Sequence, residues 1–315
     1  MLEHNNNSIS IVLPVRNGEK HLSQIKNDLD ANLNFSDELV VINDGSKDKT
    51  GEILDLWAEG NPNISILHTQ GLGLVAALNL GIKMSVHPWI ARFDVDDRYS
   101  KNRLNYQRQM INDNVVAIFS DYSITNLDNR NFGIIPSGIE SHVIKLSLIS
   151  SQRTAHSSVL FRKSAVIDVG GYLESEFPAE DLGLWLRLAR CGDFLSVPET
   201  LMYYRLSKSS ISNSYGNQQK LKRDVLISKY GIPSDSINFC NLNIKNLMNS
   251  YNSYQLPATR KLLLLQDLWK SSKDIKTLVH LLPRFIEVLN PRYWKETLSM
   301  LKHWLARKLW RFSSN

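Results

Sequence analysis

A parallel, doubly wound α/β sheet is the fold class this sequence predicts, and three observations carry it. Apolar strand-like runs and helix-like stretches alternate between Ile9 and Phe93, and the connections between them are short. Polar, Gly- or Asp-bearing segments also recur just past the strand ends, which is where ligands bind in sheets of this kind.

The first unit is Ile9 to Val15, broken by Pro14, followed by Arg16, Asn17 and Gly18 and then a helical stretch toward Asn34. Glu38 to Ile42 is the second strand, Asn43-Asp44-Gly45-Ser46 its tight turn, and Lys49 to Ala58 its helix. Asp44 at that strand end can serve a ribose or a base, or act as a turn-former bonding its own backbone. The third strand, Ile64 to His68, precedes Gly71 and Gly73 and the helically spaced apolar residues of Leu74 to Met84. Those two glycines alone are a weak phosphate cradle, because the dinucleotide fingerprint has a third glycine and follows the first strand.

The fourth strand, Trp89 to Phe93, is apolar except for Arg92 and ends in Asp94, Asp96 and Asp97. On an extended strand Asp94 and Asp96 share a face while Val95 turns back to the core. Two carboxylates so placed repel each other unless a cation lies between them, and oxygen-only ligands suit Mg²⁺ or Mn²⁺. The competing reading is a solvated acidic turn ahead of a helix that starts near Lys101.

Composition bounds the rest. The 315 residues are 43% apolar and 9% aromatic, enough for a sizeable core. Cys191 and Cys240 make no disulfide framework and no zinc spacing, which fits a reducing compartment. No basic leader opens the chain and no run spans a bilayer, so the expected place is the cytoplasm or the cytoplasmic face of a membrane. The net charge of +6 is uneven: residues 260–315 hold 12 Lys+Arg against 4 Asp+Glu, and the remainder holds 25 against 27. Nucleic-acid binding would spread its basic residues over the folded body, so no nucleic-acid partner is expected. In the tail, Trp294, Leu298, Leu301, Leu305, Leu309 and Phe312 form one helical stripe beside Lys295, Lys302, Arg307 and Arg311. Such a helix suits an anionic membrane surface, or it packs on the body or on a second copy.

At this point the motifs resemble a known family. ISIVLPVRNG (9–18), LVVINDGS (39–46), GLVAALNLGI (73–82) and IARFDVDDRYSKNRLNYQ (90–107) resemble the donor half of a family 2, GT-A fold glycosyltransferase of the bacterial polysaccharide and glycolipid branch. His156 to Arg162, Gly170-Gly171-Tyr172, Ala179 to Leu188, and Tyr204-Arg205 with Ile211-Ser212 resemble its acceptor half, so the likeness covers roughly residues 8–230. Two departures stand out: positions 23–37 lack the usual helix-ending motif, and Ser207 replaces a histidine that often binds the metal.

The resemblance implies a donor-binding half at 1–122, an acceptor-binding half at 123–230 and a helical, basic extension at 231–315. It implies inverting transfer from a nucleotide-diphosphate sugar, by family habit a UDP-sugar, to a saccharide or lipid-linked saccharide, with Asp94 and Asp96 holding Mn²⁺ or Mg²⁺. Asp181, at the start of a helix anchored by Leu182, Leu184, Trp185 and Leu188, is the candidate base with its carboxylate free at the cleft, and Glu180 orients it or the acceptor. The opposed reading of both acids is ordinary decoration of a helix N-terminus. Pro14, Arg16, Asn17, Asp44, Gly71, Gly73, Arg205 and His156 complete the expected donor site. Arg205 is otherwise a surface ion pair and His156 a satisfied structural histidine. The alternatives in function are a sugar-phosphate nucleotidyltransferase, for which Pro14-Val15-Arg16-Asn17-Gly18 is too short a loop, and a non-catalytic sugar-binding or scaffold subunit.

Overall fold

Seven consecutive buried residues make β1 (Ile9–Val15) an interior strand. The computed structural model describes residues 7–126, 131–138, 141–150, 152–206 and 214–231. β2 (Glu38–Asp44) and β4 (Trp89–Arg92) flank β1 in parallel, and β3 (Ile64–Thr69) adds to β2. Helices α1 (Glu19–Asp30), α2 (Thr50–Ala58) and α3 (Leu74–Met84) make the connections. Pro14 is tolerated inside β1 because Val12, two residues earlier and facing the same side, bonds Phe93 N, whereas at Pro14 β4 has already ended. On α3, a Cβ at Gly81 would stand 2.5 Å from Val12 Cγ1, so the helix lies closer to the sheet than alanine would allow.

Beyond β4 the sheet changes character. β8 (Leu160–Arg162) runs antiparallel between β4 and β6 (Val115–Thr125), and β6 pairs in parallel with the long β9 (Asp193–Arg205). Two-residue β5 (Arg98–Tyr99) closes that edge against β9, and β7 (Asn131–Ile135) pairs with the far end of β6. The order is β3-β2-β1-β4-β8-β6-β9-β5 with β7 off the path. A single sheet thus carries both halves, and residue 122, the expected border between them, falls inside β6. The helices here are α4 (Arg103–Arg108), α5 (Ser141–Ser150), α6 (Lys163–Asp168), α7 (Glu180–Leu188) and α8 (Gly216–Tyr230).

Alternate strand positions feed two cores. Ile9, Ile11, Leu13, Trp89 and Ala91 pack with α1 and α2 residues, while Val12, Ile90, Phe119 and Phe161 pack with α3 and with Leu182, Leu184 and Trp185 of α7. One expectation is corrected here. The fourth strand ends at Arg92, and Asp94 and Asp96 lie in the turn beyond it, so the turn and not a strand face brings them together. Ser207 and residues 232–315, including the apolar stripe, lie outside the described residues.

Candidate active site

The loops beyond β1, β2 and β3 are tied to one another. Asn17, at φ +53°, accepts on Oδ1 from Lys47 N at 2.8 Å and donates its own N–H to Ser46 Oγ at 2.8 Å. Gly18 N donates to Thr50 Oγ1 at 2.8 Å. Asp44 is the knot: Oδ1 accepts from Thr69 Oγ1 and Leu72 N, both at 2.6 Å, and Oδ2 accepts from Gly73 N at 2.9 Å. Its carboxylate therefore pins the glycine loop and does not close a turn of its own backbone. Burial pushes its pKa up, but the three hydrogen bonds and the charge of Arg16 outweigh that and hold it below the usual range. Gly71 and Gly73 both have positive φ, and a Cβ at Gly45 would meet Gly71 N at 2.7 Å, so the second and third loops are stacked backbone on backbone. Arg16 is exposed and Pro14 is buried within β1.

In the turn after β4, one ligand atom from each of Asp94, Asp96 and Asp97 lies within 4.8 Å of the others. The turn is held rigidly. Tyr99 Oη accepts from Asp94 N at 2.7 Å and donates back to Asp94 O at 3.4 Å. Behind it Arg103, fully buried, donates to Arg92 O, Ser157 O and Val159 O and lies 4.1 Å over the Phe93 ring. Burial without a carboxylate partner lowers its pKa to about 10. Asp97 is buried and already accepts from Ser157 Oγ at 2.7 Å and Arg205 N at 2.9 Å, so it backs the turn while Asp94 and Asp96 are partly open. Burial and the Asp94 charge push Asp96 up to about 6. This mutual repulsion among oxygen donors is what a hard divalent cation relieves, so the residues fit Mg²⁺ or Mn²⁺.

Arg92 links this turn to a second acidic pair. It is 4% exposed, donates to Asp94 Oδ2 at 2.5 Å, and its Nε has no partner among the described residues. Burial disfavours its charge, but Asp94 outweighs that and keeps it cationic. The same guanidinium is felt at Glu180, Asp181, Tyr172 and His156. Burial, then the Asp181 charge, pushes Glu180 up to about 7, and its Oε2 has no partner among the described residues. Asp181 is also raised by burial, but it is not free at the cleft as expected: Gln152 Nε2 donates to Oδ2 at 3.0 Å and Leu182 N to Oδ1 at 2.7 Å.

His156 Nε2 pairs with Tyr172 Oη at 2.7 Å, and burial, then Arg92, holds the ring well below its usual pKa and so neutral. Asn79 of α3 fixes Tyr172 in turn, donating to its carbonyl at 2.8 Å and accepting its N–H at 2.9 Å. Arg205 is not a surface ion pair. It is buried, donates to Gln24 Oε1 at 2.6 Å and approaches His21 Nδ1 at 3.4 Å, facing α1.

The structure thus gathers the expected residues into two groups. Arg16, Asn17, Asp44, Gly71 and Gly73 meet in the stacked loops; Asp94, Asp96, Glu180, Asp181 and His156 meet around Arg92. Sequence reasoning names Arg92, Asp97 and Tyr172 without giving them a role, and leaves Arg103 and Gln152 without one as well. A charge inside an otherwise apolar strand was a usable signal for Arg92, and a third acid for Asp97; Gln152 offered none.

Parallel strands β1 to β4 joined by helices, with an oxygen-donor cluster in the turn just past β4, define an α/β fold whose candidate site lies beyond its strand ends. The family model described as glycosyl transferase family 2 matches residues 10–170, just over half of the chain, and the chain belongs to that family. An uncharacterized glycosyltransferase of Rickettsia typhi is 26% identical over 222 residues, 67% of this chain and 67% of that protein. The Escherichia coli UDP-Gal:alpha-D-GlcNAc-diphosphoundecaprenol beta-1,3-galactosyltransferase is 26% identical over 216 residues, 66% of this chain and 77% of the relative. Among solved structures, S. aureus TarS with UDP-GlcNAc superposes with TM-score 0.59 at 15% identity, covering 83% of this chain and 79% of that one. Mannosyltransferase PcManGT from Pyrobaculum calidifontis, with GDP-Man and Mn²⁺, gives 0.56 at 13% identity over 96% and 87%. The protein is a glycosyltransferase with a fold of the GT-A type. No described helix is long and apolar enough to cross a membrane.

Proposed function

We propose that the protein transfers a sugar, with inversion, from a UDP-sugar to a hydroxyl of a saccharide or lipid-linked saccharide, in the presence of Mn²⁺ or Mg²⁺. The observation that carries this reading is the meeting of two acidic groups, Asp94-Asp96-Asp97 and Glu180-Asp181, around the one guanidinium of Arg92. The first group offers open oxygen ligands to a cation; the second offers a proton acceptor.

Asp94 and Asp96 hold the ion, which when bound supplies Lewis-acid stabilisation of the leaving diphosphate. Asp97 fixes their turn. Asp44, Asn17, Gly71 and Gly73 shape the donor cradle through the backbone they lock, with Pro14 near the end of β1 before it, Arg16 adding positive charge at Asp44 and Arg205 at Asp96. Asp181 takes the proton of the acceptor hydroxyl as its oxygen bonds to the anomeric carbon, while the bond from that carbon to the diphosphate oxygen breaks. One displacement inverts the configuration. Glu180 and neutral His156 border the acceptor pocket, with Glu180 orienting the base or the acceptor.

UDP is supported by the name of the E. coli relative and by the TarS complex. The basic segment 260–315, with its apolar stripe from Trp294 to Phe312, supports peripheral contact with an anionic membrane that would bring a lipid-linked acceptor within reach. A thermal-shift screen of nucleotide sugars with and without Mn²⁺ tests the core of the proposal. A UDP-sugar is expected to raise Tm, and more so with the ion. If no nucleoside diphosphate sugar does so under either condition, the donor reading fails.

A further inference from the structure

Gln152 has no part in the reaction as written, yet it is built into the site with unusual constraint. Its φ is +43°, a conformation that non-glycine residues adopt where surrounding contacts enforce it, often next to functional groups. Its N–H closes on Ser147 O at 2.5 Å, past the end of α5, which fixes the backbone. The side-chain amide is then held at both ends. Arg223 Nη1 of α8 donates to Gln152 Oε1 at 2.9 Å, and Gln152 Nε2 donates to Asp181 Oδ2 at 3.0 Å; Arg223 Nη2 reaches Leu148 O at 3.2 Å.

Chemistry fixes the direction of this relay. A guanidinium only donates, so the amide oxygen must face Arg223 and the NH₂ must face Asp181. A donor aimed at a carboxylate favours its ionised form. The charged and titratable groups around Asp181 are Glu180 beside it, Arg92 from β4, Arg223 from α8 and Tyr172 from the segment before α7. Glu180 is the contrast: it is 5% exposed and its Oε2 has no donor among the described residues. Among the described residues, Asp181 Oδ2 is supplied with a side-chain N–H and Glu180 Oε2 is not.

We propose that Gln152, oriented by Arg223, is a positioning residue that keeps Asp181 the ionised member of the Glu180–Asp181 pair and aims its free lone pairs at the acceptor. The inference rests on Asp181 being the proton acceptor. Gln152→Gly suits the positive φ and removes the side chain that carries the amide, so the backbone turn is retained. The expected result is a kcat lower by roughly 10- to 100-fold, the weight of one hydrogen bond to a charged group, with donor KM unchanged. The rising limb of kcat against pH is expected to move up by about one unit, and Tm to stay close to that of the parent. Arg223→Leu moves both readouts the same way, through the lost relay and through its own charge near Asp181, and the double variant falls by less than the two single losses combined, because part of both runs through the Gln152 amide. An Asp181→Asn variant measured beside them separates the two levels. If it is inactive while Gln152→Gly keeps the parent's kcat and pH profile, the positioning role is wrong and the base stands. If Asp181→Asn is fully active, the base reading fails and takes this inference with it.

Discussion

The stacked loops beyond β1 to β3 and the acidic centre around Arg92 sit on the same edge of the sheet, yet they are built on opposite principles. In the loops the key polar groups bond one another: Asn17 to Ser46 and Lys47, Gly18 to Thr50, Asp44 to Thr69, Leu72 and Gly73. In the centre buried polar atoms are left over: Arg92 Nε, Arg205 Nε and Glu180 Oε2 have no partner among the described residues, and Asp96 and Glu180 are held off their ordinary pKa. Unmatched buried groups cost stability, and proteins keep them where a ligand or reaction will use them. The loops are thus a platform nearly complete in itself, with Asn43 Oδ1 the atom left over there among the described residues, whereas the centre leaves charged groups unmatched.

Removing a carboxylate from the centre is the sharpest way to break that contrast. Asp96→Ala relieves repulsion, so the fold survives and Tm does not fall, yet transfer drops by on the order of 10³-fold, as when several kcal/mol of charge stabilisation is lost. Initial-rate assays with a Mn²⁺ titration, beside calorimetric Tm, read both quantities. Near-parent rates in the variant, or in the parent under excess chelator, would mean that the acidic turn is structural. Asp181→Asn comes next: it keeps the shape, leaves donor binding measurable by calorimetry, and lowers turnover by about 10²-fold or more. Normal turnover there would shift the role to another acid.

The platform was largely legible in the sequence and the centre only in part, for a physical reason. Platform elements are local: α3 runs from Leu74 to Met84, the same stretch its apolar spacing marks, and β1 is Ile9–Val15, as its apolar run indicates. The centre depends on long-range contacts, such as Asn79 with Tyr172 or Gln152 with Asp181, that no periodicity encodes. Arg92 read as an interruption of an apolar strand because its partners, Asp94 and the α7 acids, come together only when β8 and α7 close on β4. The length of β6 was hidden too. Its Ser120, Asp121, Ser123 and Thr125 are polar yet all buried, with Ser137 N donating to Asp121 at 3.1 Å.

Damage to the platform is expected to be milder and to appear in donor affinity before turnover. Asp44→Asn sets an NH₂ against backbone donors in the glycine loop, losing at least one charge-assisted hydrogen bond, about 1.5–3 kcal/mol. Thermal melts should show that loss, and donor KM should rise by roughly tenfold with kcat at saturating donor little changed. A fall in kcat with KM unaltered would instead place Asp44 in the chemistry.

The last expected effect is a gain in stability. Glu180 is shifted from an ordinary 4.5 to about 7, first by burial and then by the Asp181 charge. Between those two values the folded protein retains a proton that the unfolded chain has released, so stability falls as pH rises through the window and stays reduced above it. Glu180→Gln preserves the shape and cannot ionise. Its Tm should match the parent's near pH 4 and exceed it increasingly toward pH 8, by the equivalent of about 3 kcal/mol. Stability gained by silencing a site acid is the usual sign of a group held in place for function. Melts of both proteins at intervals from pH 4 to 8 decide the matter: a difference that is flat with pH would mean that Glu180 ionises as easily folded as unfolded, and that the centre is no more strained than the loops beside it.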